Sequence, residues 1–248
     1  MTDKVRTALI TGSGRNIGRA IALQLAGQGM NIVVHGKHNR DDAEAVAGEV
    51  RALGAQAHVI LGDLGDAQAV STLAAQALKA CGGIQVLVNN AAIRPQSTLA
   101  NLEFEDWQRV LNVNLNSAFL LCKAFAPGMR AAGFGRILMF SGMNAINGYA
   151  GRCHVSASKH ALWGLCKALA RELGPDGISV NTISPGPTAG RHPGDPEMAR
   201  HIAGQIAKIP RGRLGTAEEV AALCGFLCGE RGGWVSGQMI ACNGAAQS

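Results

Sequence analysis

One tyrosine, three tryptophans and six phenylalanines are all the aromatic residues in 248, or 4% of the chain. So few rings leave little surface on which nucleic-acid bases could stack. The formal charge of +6 comes from Lys and Arg scattered singly rather than from a basic block. The expectation is no nucleic-acid partner and a mild positive bias suited to a small polyanionic ligand. No apolar run approaches the ~20 residues of a membrane span, and the opening MTDKVRT lacks a secretion-signal core. A cytoplasmic protein with no membrane partner is therefore expected.

Charged residues are also sparse, at 16% against 47% hydrophobic, so the helices must be covered by a sheet or by other subunits. The seven cysteines are an odd number. Cys224 and Cys228 share a helix face, but the sequence brings no further ligand to them. Reduced buried thiols are expected, with no metal site. Nothing reads as a linker, which makes residues 1–248 one domain.

What the chain does have is concentrated in its first thirty residues. Val5–Ile10 (VRTALI) has the composition of a buried strand. The turn Thr11-Gly12-Ser13-Gly14-Arg15-Asn16-Ile17-Gly18 follows, and a helical pattern then runs until Gly27 and Gly29. Strand, glycine-rich turn and helix aim backbone N–H groups at a phosphate. The spacing is TGxxxGxG, with Asn16 in the middle glycine slot, and Asn is the next most tolerant residue of a left-handed backbone.

Further strands are read at Asn31–His35, Ala57–Leu61, IQVLVNN, Arg136–Phe140, Ile178–Ile183 and Gly237–Cys242. Helical patterns separate them at Asp41–Leu53, Asp66–Cys81, Leu102–Arg130 and Cys153–Leu173. Between Leu102 and Arg130 the pattern fits one long helix or two abutting ones, weakened at its far end by Pro127 and Gly128. This alternation predicts an α/β fold, a single doubly wound parallel sheet of about seven strands with helices on both faces. The ligand then lies at the carboxyl ends of the strands.

The glycine pattern, Asp63 in LGDLGD, Val88-Asn89-Asn90-Ala91-Ala92, Asn114 in NVNLNSAF, Lys159 in VSASK, Pro185-Gly186 and the tail RLGTAEEVAALCGFL resemble the short-chain dehydrogenase/reductase family in order and spacing. The resemblance covers nearly the whole chain and implies a Rossmann-type nicotinamide-dinucleotide site. It places Gly12, Ser13, Arg15, Asn16, Ile17 and Gly18 at the pyrophosphate, and Asp63 and Leu64 at the adenine. Asn90 and Ala91 would line the nucleotide, Lys159 would meet the ribose, and Pro185, Gly186 and Thr188 would lie over the nicotinamide. The turn Gly36–Arg40 has no acid at the strand tip but does have Lys37, with Arg15 nearby in the first loop. A carboxylate there would accept from a ribose 2′-OH and repel a 2′-phosphate, so NADP(H) is favoured over NAD(H); the other reading makes Lys37 and Arg40 plain solvated charges. The resemblance further implies a homotetramer and a short substrate lid around 188–210.

Family enzymes carry Asn, Ser, Tyr and Lys. The Tyr handles the proton at the substrate oxygen, and the Lys lowers its pKa. Asn114 and Lys159 match, the Asn belonging to a helix irregularity that holds a water. Four residues before Lys159, however, stands Val155 instead of Tyr, and Gly142 stands in the Ser slot. Proton transfer contributes about 10²–10⁴ in rate, so a substitute is needed among Ser141, Asn144, Tyr149 and His154. Tyr149 reads equally as an aromatic lining the pocket. Ser141 should face the other side of its strand unless the register differs by one. The expected activity is NADP(H)-dependent oxidation or reduction of a small carbonyl, alcohol or activated double bond with an atypical proton donor. The alternatives are a dehydratase, lyase or hydrolase on this scaffold, or a catalytically silent NADP(H)-binding protein.

Overall fold

In the computed structural model, which describes residues 5–142, 146–190 and 202–246, strand β1 (Thr7–Ile10) lies at the centre of the sheet. Its residues alternate between two cores. Ala8 and Ile10 join the apolar cluster on one face of the sheet, and Leu9 joins the cluster on the other. A strand covered on both faces has no polar side to show, which is why Ala8, Leu9 and Ile10 are apolar without alternation. Each such fully buried aliphatic side chain contributes roughly 1.5–3 kcal/mol.

The other strands are β2 (Asn31–Gly36), β3 (Ala57–Leu61), β4 (Val86–Asn89), β5 (Gly135–Phe140), β6 (Ile178–Pro185) and β7 (Met239–Cys242). All pairings are parallel, in the order β3-β2-β1-β4-β5-β6-β7. The order reverses between β1 and β4, and a crevice for ligand opens above the strand ends at such a reversal.

Helices α1 (Asn16–Gly27) and α2 (Arg40–Ala52) pack on one face together with α7 (Ala217–Cys228). On the other face lie α3 (Ala67–Cys81), α5 (Ser117–Ala132) and α6 (Cys153–Leu173). The stretch read as one helix or two is α4 (Phe104–Leu111), one π-helical segment at Asn112–Asn116, and then α5. Pro127 does not end α5, which continues to Ala132 and stops at Gly133 in a left-handed conformation. Tertiary cover from buried Phe125 and Met129 holds the helix together across the proline.

All seven cysteines are free thiols, and burial pushes Cys122 and Cys228 up to about 12. Among the described residues no group of His, Cys, Asp and Glu is arranged to hold a metal ion, and no helix is long and apolar enough to cross a membrane.

Candidate active site

Beyond β1 the chain turns through a cradle that excludes side chains. A Cβ on Gly18 would stand 2.3 Å from the Gly12 carbonyl oxygen and 2.8 Å from Asn90 Nδ2. A Cβ on Gly12, whose φ is +65°, would stand 3.1 Å from that of Ala91. Asn16 takes φ +48°, the left-handed backbone read from the spacing. Gly14 differs, since a Cβ there would meet only ordinary contacts. Helix α1 starts at Arg15 with no side-chain cap, whereas Asn39 caps α2, Asp66 caps α3 and a Thr216–Glu219 capping box closes α7. Its first-turn N–H groups therefore face the crevice without a protein side-chain acceptor, as an anion site requires. Arg15 and Asn16 are exposed beside them, and Ile17 is partly buried.

The inner side of the cradle is fastened by residues with no ligand to meet. Ser13 is fully buried. Its hydroxyl donates to the Ile10 carbonyl at 2.8 Å and accepts the His35 N–H at 3.0 Å. His35, at the end of β2, accepts the Gly12 N–H on Nδ1 at 3.1 Å and donates from Nε2 to the Gly62 carbonyl at 3.0 Å. That pair of bonds requires the neutral ring. Burial accordingly lowers its pKa to about 4, against a small opposing pull from the Gly62 carbonyl and Asp63. In the sequence His35 reads only as strand, and its place just before a glycine turn is the signal there for its role.

At the far end of the crevice Lys37 Nζ lies 2.8 Å from Asp63 Oδ2. Asp63 also accepts the Gly65 N–H at 2.9 Å, and the Lys37 hydrogen bond followed by the Gly65 one holds its carboxyl below the usual range. Leu64 is buried beside it. Asn90 Nδ2 donates to the carbonyls of Thr11 and Gly12, and the Ala91 N–H donates to Thr11 Oγ1. These bonds clip the end of β4 to the cradle.

The π-helical segment exists around Asn114, whose amide is fully used. Oδ1 accepts the Ile93 N–H, while Nδ2 donates to the Ile93 carbonyl and to Ser158 Oγ, all at 2.9–3.0 Å. The loop after β4 is thereby tied to α6, one turn of which carries Lys159. Lys159 is buried, and its ammonium donates to the Phe140 carbonyl at 2.5 Å. Burial, and then the charge of Arg94, bring its pKa down to about 7.

The candidate proton donors fall in different places. Ser141 is turned to α6, where its hydroxyl donates to the Lys159 carbonyl at 3.2 Å. Tyr149 is half exposed, with the Arg152 guanidinium 4.9 Å over its ring. His154 is fully buried with neither ring nitrogen hydrogen-bonded, and burial lowers its pKa against the pull of Asp106. Asn144 lies outside the described residues, as do residues 191–201 of the expected lid. Val155 is fully buried, and a Cβ on Gly142 would meet nothing within 4 Å. At the other wall Gly186 has no room for a Cβ, which would stand 2.6 Å from Asn243 Cα, and Thr188 Oγ1 donates to the Gly186 carbonyl at 3.0 Å.

A seven-stranded parallel sheet with a side-chain-free cradle at its strand reversal defines a Rossmann-like α/β protein. Residues 12–245 match the family model described as enoyl-(acyl carrier protein) reductase. The chain belongs to the short-chain dehydrogenase/reductase family of oxidoreductases. It is 34% identical to the 3-oxoacyl-(acyl-carrier-protein) reductase FabG of Pseudomonas aeruginosa over 98% of both chains. It is 37% identical to the short-chain reductase protein NovJ of Streptomyces niveus, over 96% of this chain and 92% of that one. Among solved structures, a blue fluorescent protein from a metagenomic library in complex with NADPH superposes with a TM-score of 0.91 at 32% identity, over 98% of both chains.

Proposed function

We propose that the protein is an NADP(H)-dependent oxidoreductase of a small carbonyl, alcohol or activated double bond, working without the family's phenol. The observation that carries this reading is the cradle. Gly12 and Gly18 let the turn pack directly on Asn90 and Ala91, and α1 presents uncapped N–H groups at its start, where a pyrophosphate would bind. Gly12, Arg15, Asn16, Ile17 and Gly18 hold the pyrophosphate over the fastened Ser13. Lys37 and Arg15 face the 2′-phosphate, Asp63 and Leu64 the adenine, and Asn90 and Ala91 the adjoining ribose. Lys159 reaches the nicotinamide ribose, with Pro185, Gly186 and Thr188 over the ring. Bound there, the nicotinamide supplies or accepts a hydride.

The proton is the chain's own responsibility. Val155 has none to give, and the Ser141 hydroxyl is engaged by the helix backbone. Lys159 is the suited group. A buried amine near pH 7 is half protonated there and serves as acid or base at the substrate oxygen, directly or through one water. Asn114 fixes the loop that carries Ile93 and so the width of the crevice beside Lys159. A homotetramer in the cytoplasm is part of this proposal, with Phe119 of α5, Phe226 of α7 and the almost fully exposed Trp234 as the apolar surface awaiting cover.

A second reading is a non-redox enzyme on the same scaffold, favoured by the loss of both the Ser and the Tyr at Gly142 and Val155. Purified protein with NADPH and a panel of ketones, aldehydes and enones decides between them. Loss of absorbance at 340 nm that disappears in Lys159→Met is the expected result. Turnover that persists in nucleotide-free protein favours the second reading, and an absence of NADPH binding refutes the first.

A further inference from the structure

Three cations converge on the crevice beside Lys159, and the described structure gives them no acid. The loop after β4 carries Arg94 and meets the loop before α6. The Ser97 N–H donates to the Gly151 carbonyl at 2.8 Å, and the Gln96 side chain lies against Gly151, whose Cβ position is 3.2 Å from it. Arg152, the next residue, begins α6. Arg94, Arg152 and Lys159 make no ion pair among the described residues, whereas Arg6, Arg19, Arg40, Arg51, Arg130 and Arg213 each do. Arg152 Nε is buried with no hydrogen-bond partner. The buried Lys159 ammonium has three donors and among the described residues gives one, to Phe140. The charges feel each other: after desolvation, Arg152 lowers Arg94 and Arg94 lowers Lys159. Asp106 of α4 acts on His154 instead.

Like charges held together around a crevice, with donors left over, are stable only if an anion is shared among them or water screens them. We propose that Arg94 and Arg152 form a binding site for an anionic group, a carboxylate or a phosphate, on the substrate, which sets its reactive end beside Lys159. The proposal rests on the oxidoreductase reading only for the identity of that reactive end; the anion site stands on its own geometry.

Calorimetric titration of NADP⁺-saturated protein with malonate, with glycerol 3-phosphate and with neutral glycerol tests it. The cofactor keeps the probes out of the glycine cradle, and the two anions separate carboxylate from phosphate. At least one anion is expected to bind. Its affinity should fall tenfold or more in Arg94→Gln and in Arg152→Gln, recover largely in Arg94→Lys, and stay unchanged in the surface control Arg40→Gln. Binding no better than glycerol overturns the proposal, as does an affinity indifferent to both arginines. NADPH affinity is measured separately for every variant. If NADPH fails to bind the parent protein while an Arg94-dependent anion still binds the unliganded form, the cofactor reading falls and the anion site remains.

Discussion

Protonating His35 should loosen the cradle from below, and the size of the effect follows from its two hydrogen bonds. The folded ring is neutral because Nδ1 accepts from Gly12 while Nε2 donates to Gly62. Moving a histidine from 6.5 to about 4 corresponds to roughly 3 kcal/mol of stability. Above pH 6.5 the ring is neutral in both folded and unfolded chains, and the whole contribution is present. As pH falls toward 4 only the unfolded chain takes the proton, so stability is lost at up to about 1.4 kcal/mol per pH unit. His35→Gln removes the titration while its amide keeps an acceptor near Gly12. Urea unfolding of both proteins at fixed concentration, from pH 7.5 to 4.5, isolates the effect as a difference of slopes. The variant starts lower at pH 7.5 by roughly 1–3 kcal/mol for imperfect hydrogen bonds, then loses about 2–3 kcal/mol less than the parent on the way to pH 4.5. Parallel curves would show that the ring carries no buried neutral constraint and would refute the reasoning.

Two further substitutions probe the two ends of the crevice. Gly18→Ala places a methyl 2.3 Å from a backbone oxygen that cannot swing aside, so a cost of roughly 1–3 kcal/mol is expected, with NADPH affinity reduced more than tenfold; unaltered binding by fluorescence titration would contradict the cradle. Lys159→Met removes an ammonium whose burial, from 10.5 to about 7, costs about 5 kcal/mol below pH 7 and progressively less as pH rises toward 10.5. The variant should therefore unfold at higher urea than the parent at pH 6, after allowing for the lost Phe140 bond, with the gap closing by pH 10. A variant less stable than the parent at pH 6 would show that the charge is better solvated than its surroundings suggest.

Most of the fold was legible because its signals are local. The apolar strands, Gly27 closing α1 with Gly29 just beyond it, and the spacing from Gly12 to Gly18 each depend on a few adjacent residues. The seven-strand parallel sheet followed from their alternation. The weakening read at Pro127 does not stop the helix, which runs to Ala132 with Phe125 and Met129 buried, cover that no local propensity reports. The site was legible only where a motif names a residue. His35 carries no motif, because its importance lies in two carbonyl and amide groups from loops 23 and 27 residues away. Arg94 and Arg152 are 58 positions apart, and their loops are joined by the Ser97–Gly151 hydrogen bond and by the ties of Asn114 between the loop after β4 and α6. A single sequence can show that two cations exist; it cannot show that neither pairs with an acid among the described residues.

On the proposed reading, Gly142 and Val155 in the Ser and Tyr positions and the cations left without an ion pair among the described residues go together. With Tyr at position 155, a lysine below it can remain a permanent cation whose task is to lower the phenol's pKa. With Val155 that task is gone, and a lysine kept at full charge would be a buried cost without return. On this reading what surrounds Lys159 weakens its hold on the proton instead: burial, and then the charge of Arg94, bring the amine to about 7, a value suited to acid–base work. Arg94 would then act twice, attracting an anionic substrate and tuning the amine that meets it. An acid at either arginine would undo both effects, and the crevice is built without one among the described residues.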